Sequence, residues 1–309
     1  MVVSKNEIME KRKLPILIAA IALCMLSCNK NNVSSGSDKL PNMIIDTDVG
    51  IDDAMAILYL LQRSDLTVKG ITICGTGMSN MGAATENTLG LLALAGQPDI
   101  PVARGETIAI NSQNTNFRPQ QWLDESNSMM GLELPSNPTH PLNQSAVSFI
   151  IDVLERSGTP IRFVVLGPMT NLGSILLQAP HLAEKIESVY VMGGAVNVPG
   201  NLPSGGIENN TVAEWNIFLD PDAAEIVFKS GVNVILAPLD ATNKAPVTTA
   251  FLTRIANDHT TPEATFVFDI LSKLEQYYDT LYFWERILKV FIKMKNNALI
   301  DCWDVGNFN

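Results

Sequence analysis

From Pro41 onward the chain alternates short β-rich runs with helix-prone apolar segments, and this alternation is what most limits the folds open to it. Residues 42–47 read as a short apolar strand and 54–62 as a helix. Residues 66–74 are β-rich, and 85–95 form a helix closed by Gly96 and Pro98. The rhythm returns with a helix over 146–155, a buried strand over 161–166, a helix opening at 172–177 and a strand over 188–192. A helix over 220–229 and a strand over 232–237 follow, then helices to about Trp284. Repetition of this kind implies an α/β fold: one domain with a mostly parallel central sheet flanked by helices on both faces. Ligands of such sheets sit beyond the carboxyl ends of the strands. Between residues 106 and 143 the pattern lapses into a polar stretch with several Pro and Asn, read as an excursion facing the active site rather than a linker. No internal repeat is visible.

The first forty residues are of another composition. Lys5, Lys11, Arg12 and Lys13 make a basic head, and residues 14–26 an almost unbroken apolar run. That run is short for a bilayer span and suits a signal-peptide core. It ends in Met25-Leu26-Ser27-Cys28, which resembles the lipobox of bacterial lipoproteins. The resemblance implies lipidation at Cys28, a signal peptide over 1–28, a polar tether over 29–40 and a folded domain over 41–309. Attachment to the membrane is then through the N-terminal lipid alone. Asn29 follows the cysteine where an inner-membrane retention signal would have Asp, which favours the outer membrane of a bacterial cell envelope. Of the other cysteines, Cys24 leaves with the signal, and Cys74 and Cys302 show neither a disulfide framework nor metal-ligand spacing. A formal net charge of −11 argues against a partner such as nucleic acid, whose phosphates want a basic face.

The most informative stretch is Ile44-Ile45-Asp46-Thr47-Asp48-Val49-Gly50-Ile51-Asp52-Asp53-Ala54. Four carboxylates lie in eight positions, directly after an apolar strand and around a glycine turn. Like charges packed so closely need a cation to offset them. A helix N-terminus would account for Asp52 and Asp53 but not for Asp46 and Asp48 as well. All-oxygen ligands point to Ca²⁺ or Mg²⁺, and carboxylate with backbone carbonyl suits Ca²⁺.

Residues 46–54 resemble the N-terminal signature of the inosine-uridine nucleoside hydrolase family, which usually reads Asp-Thr-Asp-Pro-Gly-x-Asp-Asp-Ala. Val49 replaces the Pro, a loop-stiffening position without chemistry of its own. Further family-like segments follow in order. They are Leu166-Gly167-Pro168-Met169-Thr170-Asn171-Leu172, Met192-Gly193-Gly194-Ala195, Ala213-Glu214-Trp215-Asn216-Ile217 with Asp220-Pro221, and Pro238-Leu239-Asp240-Ala241-Thr242. The resemblance spans about residues 42–284 and implies an N-ribohydrolase of nucleoside salvage whose calcium holds a water and the ribose hydroxyls. By position, Asp48 would bind calcium and act as general base, Asp53 would be a second ligand, and Thr170 would lend its backbone carbonyl. Asp52, Glu214 and Asn216 would hold the ribose, while Asp46 would shape the loop. The family has one more ribose-contacting Asn, for which Asn201, Asn209 and Asn210 compete, Asn201 being favoured by its Gly200-Asn201 pair. Another family Asn is missing after the second strand, where Thr76 is the nearest substitute. Such chains commonly assemble as homo-oligomers. The chemistry is sound in itself: cleaving an N-glycosidic bond builds positive charge on the sugar, which nearby carboxylates stabilise.

Out of context, Glu214 and Asn216 would be a solvated edge before a strand. His140, His181 and His259 show no ligand spacing. Trp122 and His140, in the polar excursion, are candidates for a nucleobase pocket. The pattern breaks late. One branch of the family carries Tyr-Phe-Trp-Asp with the Asp on the metal. Here the text is Tyr282-Phe283-Trp284-Glu285, making Glu285 the expected last ligand. Residues 286–309 are atypical, with Arg286, Lys289, Lys293 and Lys295 where a small apolar helix is expected, as after a truncation or a frame change. Two rivals follow. One is a nucleoside-binding lipoprotein without turnover. The other is a haloacid dehalogenase-type phosphatase, which shares Asp-x-Asp at a strand end but does not predict Ala213 to Asn216.

Overall fold

The computed structural model describes residues 40–244 and 247–277. Within them, β1 (Asn42–Thr47), β2 (Thr67–Ile73), β3 (Val102–Arg104), β4 (Ile161–Val165), β5 (Ile186–Met192) and β6 (Val234–Ala237) form a single sheet. Every neighbouring pair is parallel, in the order β3-β2-β1-β4-β5-β6.

Side-chain alternation along β1 explains how this sheet acquires two covered faces. Met43 and Ile45 point to one side, where they meet Met55 and Leu58 of α1 (Ile51–Leu61), Leu91 and Leu92 of α2 (Met81–Leu94), and Ile270 and Leu271 of α10 (Pro262–Tyr277). Ile44 points to the other, with Phe163 and Val165 of β4, Ile150 of α4 (Ala146–Arg156), Ile175 of α5 (Thr170–Gln178) and Val227 of α7 (Pro221–Lys229). Each fully buried aliphatic side chain of this set contributes about 1.5–3 kcal/mol. Because β1 is apolar on both faces, it can only be central.

Connectivity then places the site. From β1 the chain steps outward to β2 and β3. It returns to the other side of β1 with β4 and continues outward to β5 and β6. The loops leaving β1 and β4 therefore diverge, opening a crevice at their carboxyl ends. The acidic loop follows β1, and the segment from Leu166 to Thr170 follows β4.

Several boundaries differ from the sequence reading. Helix α1 starts at Ile51 rather than 54, because Gly50 takes the N-cap position and Asp52 and Asp53 suit the first turn. The three-residue β3 is too short to carry a periodic signal. The excursion contains α3 (Gln120–Asn127) and two 3-10 turns, Asn114–Phe117 and Met129–Gly131. Residues 215–219 form a helix, α6 (Trp215–Leu219), where a strand was the plain reading. The remaining helices are α8 (Leu239–Thr242) and α9 (Thr249–Asp258). Among the described residues no helix is long and apolar enough to cross a membrane. Cys28, the Tyr282 to Glu285 segment, the basic stretch after it and Cys302 lie outside the described residues.

Candidate active site

At the end of β1 the four acidic residues are spread between the strand, the turn and the first turn of α1. Asp46 is buried and accepts from Thr72 Oγ1 of β2 and from Asn171 Nδ2 of α5, the latter at 2.7 Å. Among the described residues its other oxygen, Oδ2, has no hydrogen-bond partner. Burial pushes the Asp46 carboxyl up to about 7, against the two hydrogen bonds and with a further push from the charge of Asp48. Asp46 thus ties β1, β2 and α5 together beneath the loop.

Asp48 faces the crevice and is only 4% exposed. Its Oδ2 accepts from Met78 N at 2.7 Å, and its backbone carbonyl accepts from Ser79 N at 3.1 Å. Two glycines make room for it. A Cβ on Gly77 would lie 2.1 Å from Asp48 Cβ, and one on Gly167 2.7 Å from Asp48 Cγ. Asp53 is buried and accepts from Thr47 Oγ1 at 2.8 Å, while Asp52 is half-buried in the same first turn. Between them Val49 has φ of 56°, a left-handed conformation unusual for a β-branched side chain. Thr47 Oγ1 accepts from its N–H at 3.0 Å, and its carbonyl accepts from Ser79 Oγ at 2.8 Å. Proline, with φ near −65°, cannot take this backbone. The left-handed backbone of Val49 is therefore held by the bonds its neighbours make to it.

The second wall comes from the segment between β5 and α7. Glu214 is 1% exposed, no solvated edge, and caps α6: its Oε2 accepts from Asn216 N (2.9 Å), Ile217 N (3.2 Å) and Gly194 N (3.1 Å). Asn216 donates its amide to the carbonyls of Leu166 (2.8 Å) and Met192 (2.9 Å), the ends of β4 and β5. Only its Oδ1 is left to meet a ligand. Asn201 accepts at Oδ1 from Trp215 N (3.1 Å) and so stands beside Glu214 and Asn216. Its rivals are placed otherwise, since Asn210 Oδ1 caps Val212 N and Ala213 N and Asn209 is exposed. Contacts thus run from Asp48 through Leu166-Gly167 to Asn216, Glu214 and Asn201.

Thr170 departs from its expected part. It opens α5, so its carbonyl belongs to the helix's own hydrogen-bond ladder. Its hydroxyl donates to Asp220 Oδ2 at 2.7 Å and meets Thr76 Oγ1 at 2.7 Å. The backbone set against Asp48 is that of Gly167. Thr76 is fully buried, its hydroxyl also bonded to Cys74 Sγ, so it does not replace the missing Asn toward a ligand.

Asp48 and Asp53, buried and acidic at the mouth of the crevice, offer the hard oxygen donors that a divalent cation takes, and in kind they fit calcium. In number they fall short of its six to eight ligands. Among the described residues no three His, Cys, Asp or Glu side chains come together as a holding set, and Glu285 lies outside them.

Two features of the excursion were not foreseen. Arg118 reaches back from it, its Nη1 donating to Gly77 O and its Nε to Thr115 O (3.0 Å). Partial burial lowers the pKa of this guanidinium, opposed by the nearby charge of Asp48. No motif announces Arg118; its signal is only a cation in an otherwise uncharged run of the excursion. Trp122 lies edge-on to Trp215 with centroids 5.4 Å apart, inside a cluster with Phe218, so part of its surface is already covered. His140 and His181 are exposed, and His259 stacks on Phe268 far along the chain.

With this geometry in hand, the comparisons are specific. The sequence profile of the inosine-uridine preferring nucleoside hydrolases matches residues 43–294. A pyrimidine-specific ribonucleoside hydrolase, RihA, of Salmonella paratyphi C (strain RKS4594) is 35% identical over 239 residues, 76% of this chain and 72% of that protein. RihA of Klebsiella pneumoniae (strain 342) matches to the same extent, 35% over 239 residues covering 76% and 72%. Among solved structures, a plant nucleoside hydrolase, the PpNRh1 enzyme, superposes with a TM-score of 0.71 at 27% identity, covering 85% of this chain and 79% of that one. The purine-preferring ribonucleoside hydrolase of Gardnerella vaginalis gives 0.67 at 29% identity, covering 82% and 80%.

Proposed function

Since the chain belongs to the inosine-uridine preferring nucleoside hydrolase family, we propose that it hydrolyses the N-glycosidic bond of ribonucleosides to ribose and free base. The observation that carries this reading is the meeting of three segments at one crevice. Asp48 from the β1 loop, Leu166-Gly167 after β4 and the Glu214-Asn216 pair are joined by direct contacts.

In this reading Asp48 and Asp53 hold a calcium ion, with Glu285 as a further carboxylate ligand. Bound there, the cation would acidify a coordinated water and anchor vicinal hydroxyls. Asp48 takes the proton of the attacking water. Asp52, Asn201 and Asn216 orient the ribose through its hydroxyls. Glu214, anchored on three backbone N–H groups, keeps a fixed negative charge near the ring where positive charge builds. Asp53→Ala should abolish tight calcium binding in a folded chain and, with it, hydrolysis of inosine and uridine. Full calcium affinity by calorimetry in that variant would overturn the metal assignment, and a wild type inactive on every ribonucleoside would overturn the function.

The N-terminal segment supports a place in the cell envelope, with Cys28 lipidated and residues 29–40 as tether. Fatty-acid labelling of the chain that survives Cys28→Ser would refute this. Glu285 and the basic residues behind it favour one second reading, a chain of the Tyr-Phe-Trp branch that binds nucleosides with impaired turnover.

A further inference from the structure

One peptide group lies between a half-buried cation and the proposed general base. The carbonyl of Gly77 accepts from Arg118 Nη1, and the N–H of Met78, the other half of the same peptide, donates to Asp48 Oδ2 at 2.7 Å. Because the peptide is trans and planar, its C=O and N–H point in opposite directions, so guanidinium, peptide dipole and carboxylate are in series. A cation on the oxygen polarises the amide and strengthens the bond that its N–H gives to an anion. The arrangement has no slack. Gly77 cannot carry a side chain, because its Cβ would lie 2.2 Å from Asp48 Oδ2, and Ser79 N fixes the following residue on Asp48 O.

The cation is held as firmly as the peptide. Arg118 Nε donates to Thr115 O, and the 3-10 turn containing Thr115 is pinned to α6 by Asn114 Nδ2, which donates to Phe218 O at 2.7 Å. Ile110 N adds a bond to Asp220 Oδ2 at 3.1 Å. The excursion therefore delivers one charge to one place. Partial burial of the guanidinium reduces screening by solvent, so its field is felt beyond its own contacts.

We infer that Arg118 is a positioning residue for Asp48, acting through the Gly77–Met78 peptide to orient that carboxylate and offset its charge. The role rests on the reading of Asp48 as the catalytic and metal-binding carboxylate. The bonds of Arg118 run to the carbonyls of Gly77 and Thr115, so its effect on Asp48 passes through the peptide. The excursion, with its little periodicity, becomes in this light a part of the catalytic frame.

Two substitutions separate charge from simple bonding. Arg118→Gln keeps a donor for Gly77 O without the charge, and Arg118→Lys keeps the charge. The expected result is a kcat about tenfold lower for Arg118→Gln with KM nearly unchanged, and a smaller loss for Arg118→Lys. A second measurement needs no activity. In chelator, thermal melting of Arg118→Gln, Asp48→Asn and the double variant forms a cycle, since the Asp48→Asn amide oxygen still accepts from Met78 N but carries no charge. Arg118→Gln should lower the melting temperature by about 2–4 °C alone and by clearly less beside Asp48→Asn. Equal losses in both backgrounds, or Lys no better than Gln in kcat, would overturn the inference and leave Arg118 a structural brace. If the wild type hydrolyses no nucleoside, the functional reading fails while the melting cycle still decides whether Arg118 and Asp48 are coupled.

Discussion

Asp46 sits where its charge is least welcome. It is buried, bonded on one oxygen to Thr72 and Asn171, without a hydrogen-bond partner on the other among the described residues, and neighboured by Asp48. Its pKa stands near 7, against 3.8 for an ordinary Asp, chiefly because burial disfavours the anion. The folded chain thus keeps a proton over a range in which the unfolded chain has released it. The stabilisation is fully present below 3.8 and is lost as pH rises through about 7. In chelator, stability should therefore decline across that window with a slope of at most about 1.4 kcal/mol per pH unit. Asp46→Asn, which cannot ionise, should flatten the decline, as urea titrations at several pH values would measure. A slope unchanged in Asp46→Asn would assign the decline to other groups. This distinction between Asp46 and Asp48 is only half legible in sequence. Their spacing of two would put them on one side if the strand ran on, but β1 stops at Thr47, and which one ends beneath Asn171 and which beside Gly77 depends on long-range packing. Arg118 was not legible at all, because its partner is a backbone carbonyl about forty positions away.

Helix α6 is five residues long, and its start shows how an element can carry chemistry. Glu214 serves as its N-cap and, in the proposed mechanism, as the charge facing the ribose ring. The two duties respond differently to substitution. Glu214→Gln keeps an oxygen for the N–H groups of Asn216, Ile217 and Gly194, so stability should change little, while kcat should fall far more than KM rises. Glu214→Ala removes the cap as well and should cost a further 0.5–2 kcal/mol or so in urea unfolding. Equal kinetic and stability losses for both variants would reduce Glu214 to a cap. Cleavage of 2′-deoxynucleosides at ribonucleoside rates would separately refute hydroxyl reading by Asp52, Asn201 and Asn216. At this scale the long elements were readable from sequence, since each buried strand and amphipathic helix writes its own period. Elements β3 and α6 were not, because three and five residues are shorter than a reliable period. The Ala-Glu-Trp-Asn text pointed to a site without saying that the site would be the end of a helix.

For the whole molecule, the parallel sheet and its crevice follow from the order of strands, whereas the proposed metal site would take its last carboxylate from outside the described residues. In the proposed reading Asp48 and Asp53 give only part of the oxygen set that calcium takes, and Glu285 would be a further carboxylate donor. The family profile matches as far as residue 294, which carries the likeness past Glu285. Glu has the charge of Asp, but its carboxylate stands one methylene further from the backbone. A ligand so displaced is accommodated only if the backbone behind it can shift. In the sequence, Arg286, Lys289, Lys293 and Lys295 stand where a small apolar helix is expected by resemblance to the family. If Glu285 is the proposed ligand, loose holding would displace the ion, and errors near 1 Å in the attacking geometry can cost on the order of 100-fold in rate. Hydrolysis of inosine and uridine by the chain as it stands should therefore be slow, and Glu285→Asp joined to an apolar, family-like C-terminal helix should raise kcat by at least about tenfold. Calcium affinity measured on the same two proteins should rise in parallel, because the mechanism of the loss is a poorly held ion. Equal turnover and equal affinity would mean that Glu285 is a competent ligand in its own setting and that the basic residues behind it do not disturb the site.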